Sequence, residues 1–190
     1  MRLYALLGCL FLSASSLSGL EVPSAEWQIA TAVLAAPEGE RAESTVLGYA
    51  EDGSLVTLRE GSGALICLAD DPSREGFSVA SYYRDLEPYM AKGRELKGQG
   101  LGFKEVFDAR EIAVKSGELP MPDRSILYVM TGEVDEESGA VENRYLRYVI
   151  YIPYATEEST GIPLSPIGPG APWIMNPGTH RAHIMINPPK

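Results

Sequence analysis

Apolar positions along this chain change period several times, and each change marks an element. Between Ala25 and Ala36, Trp27, Ile29, Ala30, Val33 and Leu34 recur at helical spacing. Ser24 stands where an N-cap belongs, and Pro37-Glu38-Gly39 stops the helix. Three extended runs follow: Thr45–Tyr49, Ser54–Arg59 and Ala64–Leu68. The turn signals Glu51-Asp52-Gly53-Ser54 and Gly61-Ser62-Gly63 separate them, which predicts an antiparallel meander ending at Ala69-Asp70-Asp71-Pro72. Phe77 to Tyr83 adds a further strand. Asp85 then caps a helix whose stripe is Leu86, Tyr89, Met90, Gly93 and Leu96, with Lys92, Arg94 and Lys97 toward its C-terminus. After the Gly98–Gly102 break, Lys104 to Ser116 reads as a second helix. Its apolar face is Val106, Phe107, Ala113 and Val114. Lys104–Asp108 and Glu111–Lys115 are i,i+4 pairs on the other face, and Gly117 ends the helix.

Residues 125–154 read as a hairpin. Ile126 to Met130 is one apolar arm and the acidic stretch Glu133 to Asn143 a solvated tip. The long returning strand places Leu146, Tyr148, Ile150 and Ile152 on one face and Arg147, Val149 and Tyr151 on the other. The last 30 residues hold 7 of the 14 prolines, yet Pro172-Trp173-Ile174-Met175 and Ala182-His183-Ile184-Met185-Ile186 are too apolar for a disordered tail. The expected fold is α+β: an antiparallel sheet packed against two or three helices, with the proline-rich C-terminal segment docked on the domain.

The N-terminus breaks this pattern. One charge, Arg2, precedes the apolar run Leu3–Leu12 and the small residues up to Gly19, the layout of a secretory signal. Cleavage is expected before Gly19, so 1–18 is a signal peptide and 19–190 a single globular domain. The run is too short to span a membrane, which takes about 20 residues. Leu6-Leu7-Gly8-Cys9 offers a lipoprotein alternative through Cys9, with a short apolar stretch before the cysteine. The expected location is periplasmic or secreted. Removing residues 1–18 leaves 26 acidic and 15 basic residues, a net charge of −11, and a single cysteine, Cys67. Such a chain has no internal disulfide, and its acidity argues against nucleic acid as a partner. The sequence carries no signal for an oligomeric state.

Candidate chemistry concentrates near the C-terminus, which holds both histidines. His180 and His183, three apart, would share a metal from a turn but face opposite ways in a strand, and the alternation after His180 is that of a strand. The expectation is one histidine packed in the core and the other exposed, with no metal and no cofactor. His180, Arg181, His183, Trp173, Cys67 and Asp70 are the candidate ligand contacts. Cys67 lies among apolar neighbours and is expected to be a buried, inert thiol. Asp70-Asp71-Pro72 reads as a turn. The tyrosines at 82, 83, 89, 145, 148, 151 and 154 serve core packing or, with Trp173, line a pocket. Hydrolase, phosphate-loop and metalloprotease motifs are absent.

Two stretches, Thr57-Leu58-Arg59-Glu60-Gly61-Ser62-Gly63 through Cys67-Leu68-Ala69-Asp70-Asp71-Pro72, and Pro172-Trp173-Ile174-Met175 with Gly178-Thr179 and Ala182 to Ile186, resemble the leading and closing segments of uncharacterised exported bacterial proteins. Some relatives of that kind carry Cys-Tyr-His where this chain has Ser81-Tyr82-Tyr83, and against them a thiol partner for Cys67 and an additional histidine are missing here. The resemblance implies export and one domain, and no catalysis. The functional expectation is a non-enzymatic domain that binds a small molecule or an envelope protein. The alternatives are a hydrolase or metal-dependent enzyme centred on His183, with Asp70 or Cys67 nearby, and a purely structural envelope protein.

Overall fold

The computed structural model describes residues 21–189; the signal peptide expected at 1–18 and its Cys9 alternative lie outside the described residues. One eight-stranded sheet runs through the domain. Its strands are β1 (Thr45–Tyr49), β2 (Leu55–Arg59), β3 (Leu65–Leu68), β4 (Phe77–Tyr83), β5 (Ser125–Val134), β6 (Val141–Tyr151), β7 (Trp173–Met175) and β8 (His183–Ile186), in the order β2-β1-β3-β4-β5-β6-β8-β7. Every neighbouring pair is antiparallel except β1 and β3. The helices are α1 (Ala25–Ala32), α2 (Glu87–Gly98), α3 (Phe103–Ser116) and the single turn α4 (Glu157–Thr160). The fold is therefore α+β, with a mostly antiparallel sheet.

Both faces of the sheet's centre are covered, which is why β3, β4 and β5 carry few polar residues. On one face α1 and the 3-10 turn that extends it pack Ala32, Ala35 and Ala36 against Val46, Leu65, Cys67, Val79 and Met130. On the other, α2 and α3 cover Ile66, Tyr82, Leu127, Val149 and Tyr151 with Leu86, Tyr89 and Ala113. Gln28, fully buried in α1, fastens the first layer to β1. Its side-chain amide donates to the Tyr49 carbonyl at 2.9 Å and accepts from the Tyr49 N–H at 2.7 Å, as a neighbouring strand would.

The expected meander over 45–68 is not what forms. β3 lies beside β1 and parallel to it, so β1 sits between β2 and β3. The crossing is made at Gly61 and Gly63, where the chain runs against the backbone of Glu43 and Ser44, and Gly63 N–H donates to the Glu43 carbonyl at 2.7 Å. A Cβ on Gly61 would lie 2.2 Å from that carbonyl oxygen. Asp85 is also not the cap of α2. It accepts a hydrogen bond from the Ser125 hydroxyl at 2.7 Å and ties the 3-10 turn Arg84–Leu86 to β5. The 125–154 hairpin forms as β5–β6, and its tip is pinned by the Trp27 indole, which donates to the Gly139 carbonyl at 2.9 Å. The C-terminal stretch supplies two strands: β8 pairs with β6, and β7 forms the edge beyond it.

The close crossing predicts a sharp contrast between two glycines. Gly61→Ala should destabilise the protein by about 1–3 kcal/mol, because backbone has to move. Gly39→Ala, which meets open space, should stay within about 0.5 kcal/mol of the parent. Urea unfolding of both variants checks this, and equal midpoints would refute the account of the crossing.

Candidate functional site

The α2–α3 face of the sheet carries a row of apolar side chains that ends in polar ones. Leu127, Val149 and Met185 are cross-strand neighbours on β5, β6 and β8, and Val129 lies opposite Arg147. Tyr151 lies opposite His183. With Arg181, these residues line a cavity of about 170 Å³, and the strand register sets the apolar row between Arg147 at one end and Tyr151 and His183 at the other. Strand alternation places Arg147 here, since Arg147, Val149 and Tyr151 share a face.

Two more guanidinium contacts come from the helical layer. Arg110 of α3 reaches across α2 and sits 4.1 Å above the centre of the Tyr89 ring. It can lie there because position 93 is glycine: a Cβ would approach Arg110 Nη1 to 2.8 Å. Arg181 lies 5.2 Å from the centre of the Phe103 ring, and its positive charge works against the burial that raises the Tyr151 hydroxyl. Aromatic faces thus take the place that carboxylates usually hold beside arginine.

The electrostatics of this corner are unusual for an acidic chain. Among the described residues, no ion pair involves Arg110, Arg147 or Arg181. The Nε atoms of all three are out of solvent and without a hydrogen-bond partner, as is the Tyr89 hydroxyl. Burial lowers the pKa of Arg110, and the nearby Arg181 charge lowers it further. Lys97, at the end of α2, is lowered by burial and by the charges of Arg110, Arg74 and Arg181. Burial also raises the Tyr151 and Tyr89 hydroxyls, so neither tyrosine supplies a negative charge. The result is a cationic grouping of Arg110, Arg181 and Lys97, with Arg147 on the same cavity as Arg181 and unspent donors on all three arginines.

Both histidines are buried, which corrects the expectation that one would be exposed. His183 begins β8, and its Nδ1 lies 2.7 Å from the Arg181 carbonyl. A carbonyl only accepts, so Nδ1 carries the hydrogen. Burial first, and the Arg181 charge second, lower the His183 pKa and keep the ring neutral. His180 lies in the turn before β8 and is fully buried, between Phe107 at 4.7 Å and Tyr89 at 5.6 Å. Its backbone N–H donates to Glu111 Oε2 at 2.8 Å, and its ring Nδ1 contacts the same oxygen. Burial of His180, with the charges of Arg110 and Arg181, outweighs Glu111 and keeps this ring neutral as well. Burial works against ionisation of Glu111, but Lys115 and the two His180 donors hold its pKa down to about 2.

The loop between β7 and β8 is fixed along its length. Gly178 and Tyr154 N–H groups donate to the Ala155 and Thr179 carbonyls at 2.8 and 2.7 Å. Thr179 Oγ1 donates to the Asn176 carbonyl at 2.8 Å and accepts from the Arg181 N–H at 3.2 Å. Arg181 is therefore presented by a preorganised loop.

The other sequence candidates lie elsewhere. Cys67 faces the α1 layer, fully buried, 3.5 Å from Ser81 Oγ, and burial raises its pKa. It stands four strands from His183, roughly 19 Å at 4.8 Å per strand, and on the opposite face of the sheet. Asp70 follows β3 and accepts the Ser78 N–H at 2.9 Å. The Cys67–Asp70–His183 constellation is not assembled. Trp173 adjoins the cavity through its partner Met185. Among the described residues, no three His, Cys, Asp or Glu side chains gather into a potential metal group, and no helix is long and apolar enough to cross a membrane. Sequence reasoning missed Arg110 and Arg147 as site residues, and it left Tyr89 between core packing and a pocket wall. One signal was available: Arg147 interrupts an otherwise apolar strand face.

The chain matches no protein-family model, no curated protein and no solved structure.

Glu111 gives the test of how this corner is held. Its carboxyl pKa is lowered from 4.5 to about 2 on folding, so its contribution is full above pH 4.5 and is lost as the pH falls toward 2. Glu111→Gln should destabilise the protein at pH 7. The gap to the parent should narrow at pH 3. Urea unfolding at both pH values reads this, and a pH-independent gap would contradict the assignment.

Proposed function

We propose that this protein is an exported, non-enzymatic domain that binds a small anion in the cavity bounded by Arg147, Tyr151, Arg181 and His183. The observation that carries the reading is that Arg147 and Arg181 line one cavity, with Arg110 close to Arg181, and that none of the three has a carboxylate partner among the described residues, although the chain holds 26 acidic residues. Removing guanidinium groups from water without a counter-charge is costly. A bound anion offsets that cost, and guanidinium forks match planar oxyanions in a bidentate way. In this reading the proline-rich C-terminal segment docks on the domain to close the site, and β8 delivers His183 and Arg181 to it. Export, through the 1–18 signal or lipid attachment at Cys9, and kinship with uncharacterised exported bacterial proteins belong to the same proposal.

The enzyme alternative centred on His183 has less support. Its ring is neutral and its Nδ1–H is committed to the Arg181 carbonyl, but no nucleophile from the original constellation reaches it. A general base needs a partner within hydrogen-bond distance.

Isothermal titration of the purified protein with phosphate, sulfate, acetate and longer carboxylates, against glucose as a neutral control, tests the reading. At least one anion should bind one-to-one. Arg181→Met and Arg147→Met should each weaken it about tenfold or more, as expected for a lost hydrogen bond to a charged group. Arg144→Met, on the exposed part of β6, should leave affinity unchanged. Absence of binding by every anion, or equal affinity in all three variants, would overturn the proposal.

A further inference from the structure

Resting on the anion-binding reading above, we infer that the site takes up its anion together with a proton, which His183 Nε2 receives beside Arg181. The strand register sets His183 opposite Tyr151, with the two rings 5.5 Å apart, in the cavity that Arg181 also lines. His183 Nδ1 already donates its hydrogen to the Arg181 carbonyl at 2.7 Å. A second proton on the ring therefore has one place to go, Nε2. That nitrogen has no hydrogen-bond partner among the described residues, and it keeps contact with solvent, whereas His180 Nε2 is shut off from it. The rest of the ring is buried, so the cavity is its opening to water.

The surroundings decide when Nε2 is protonated. From β6 the ring faces the Tyr151 phenol, and Arg147 stands at the far end of the apolar row. From β7 it faces Met175. Arg181 comes two residues before it, and the charges of Arg110 on α3 and Lys97 on α2 are felt close to Arg181. Tyr89 of α2 packs on the Tyr151 ring, and Glu111 of α3 is engaged by His180 and Lys115. In the free protein a second proton on His183 would add a buried cation beside Arg181, so the ring stays neutral. An anion on Arg181 reverses this. It offsets the guanidinium field and offers Nε2–H an acceptor. Linkage makes the effect reciprocal: whatever the anion does for the proton, the proton does for the anion. Affinity is low at pH 8, where the ring is neutral bound or free, and rises as the pH falls through the pKa of the bound form.

Sulfate and trifluoroacetate keep their charge between pH 5 and pH 8, so isothermal titration with these two tests the coupling. At least one should bind about tenfold or more tightly at pH 5 than at pH 8, the value of one hydrogen bond from a charged donor. At pH 6 its binding should draw protons from the buffer, read by repeating the titration in two cationic buffers of different ionisation enthalpy. In His183→Gln the affinity should no longer rise toward pH 5. The chain holds only two histidines, so ring-nitrogen NMR of the parent protein answers the same question without a variant. Saturating anion should move the His183 midpoint upward by more than that of His180. Equal affinity at both pH values, an unmoved His183 midpoint, or a pH dependence that persists in His183→Gln would overturn proton uptake and leave anion binding standing. If neither sulfate nor trifluoroacetate binds, the inference falls, and the anion reading falls with it only when phosphate and acetate also fail.

Discussion

Glu111 is the joint on which the site end of the molecule depends. One carboxylate on α3 receives the backbone N–H and the ring of His180, 69 residues further along the chain, and the ammonium of Lys115. It thereby locks the turn before β8 to the helical layer. His180 fills the space between Phe107 and Tyr89, and Arg181 follows it directly onto the rim of the cavity. If this joint were loose, Arg181 would have the freedom of a surface loop residue. Fixed, it is held within a geometry that a small ligand can use without ordering the loop itself.

The same joint explains how a cationic cluster persists in a chain of net charge −10. An acidic surface attracts arginines to itself through exposed ion pairs, which are individually weak. Arg110, Arg147 and Arg181 are instead held by packing. Arg110 lies in the space left by Gly93 above the Tyr89 ring, Arg181 near Phe103 and Tyr151, and Arg147 on a strand face whose alternation it cannot escape. Glu111, the acid that is coupled to Tyr89, is occupied by His180 and Lys115. Segregation of charge between surface and interior is thus produced by steric constraint, with aromatic faces supplying part of the compensation.

Much of the element inventory was legible because it rests on local rules. The Ser24 cap, the Gly117 stop in the left-handed region at φ 78, the i,i+4 pairs of α3 and the 125–154 hairpin all follow from spacing within a few residues. The errors share one character. The meander failed because Gly61 and Gly63, read as a turn, serve a close crossing over Glu43 and Ser44. Asp85, read as a cap, serves Ser125, 40 residues away. Glu111, read only as the partner of Lys115, has a second and distant one. In each case the residue type was read correctly as a local device, and a contact far along the chain determined its use.

Local spacing in the chain was enough for the alternation and helical stripes, and with them the α+β class, the burial of Cys67 and the position of Arg147 on a face shared with Val149 and Tyr151. Those properties depend on periods of two and 3.6 residues, which are written locally. The packing of whole elements set the rest: Arg147 from β6 and Arg181 from the turn before β8 line one cavity, Arg110 from α3 comes close to Arg181, and Cys67 and His183 stay apart. Strand order and the crossing of α3 over α2 set those distances. Both arise from the packing of whole elements, for which no local spacing in the chain is a record.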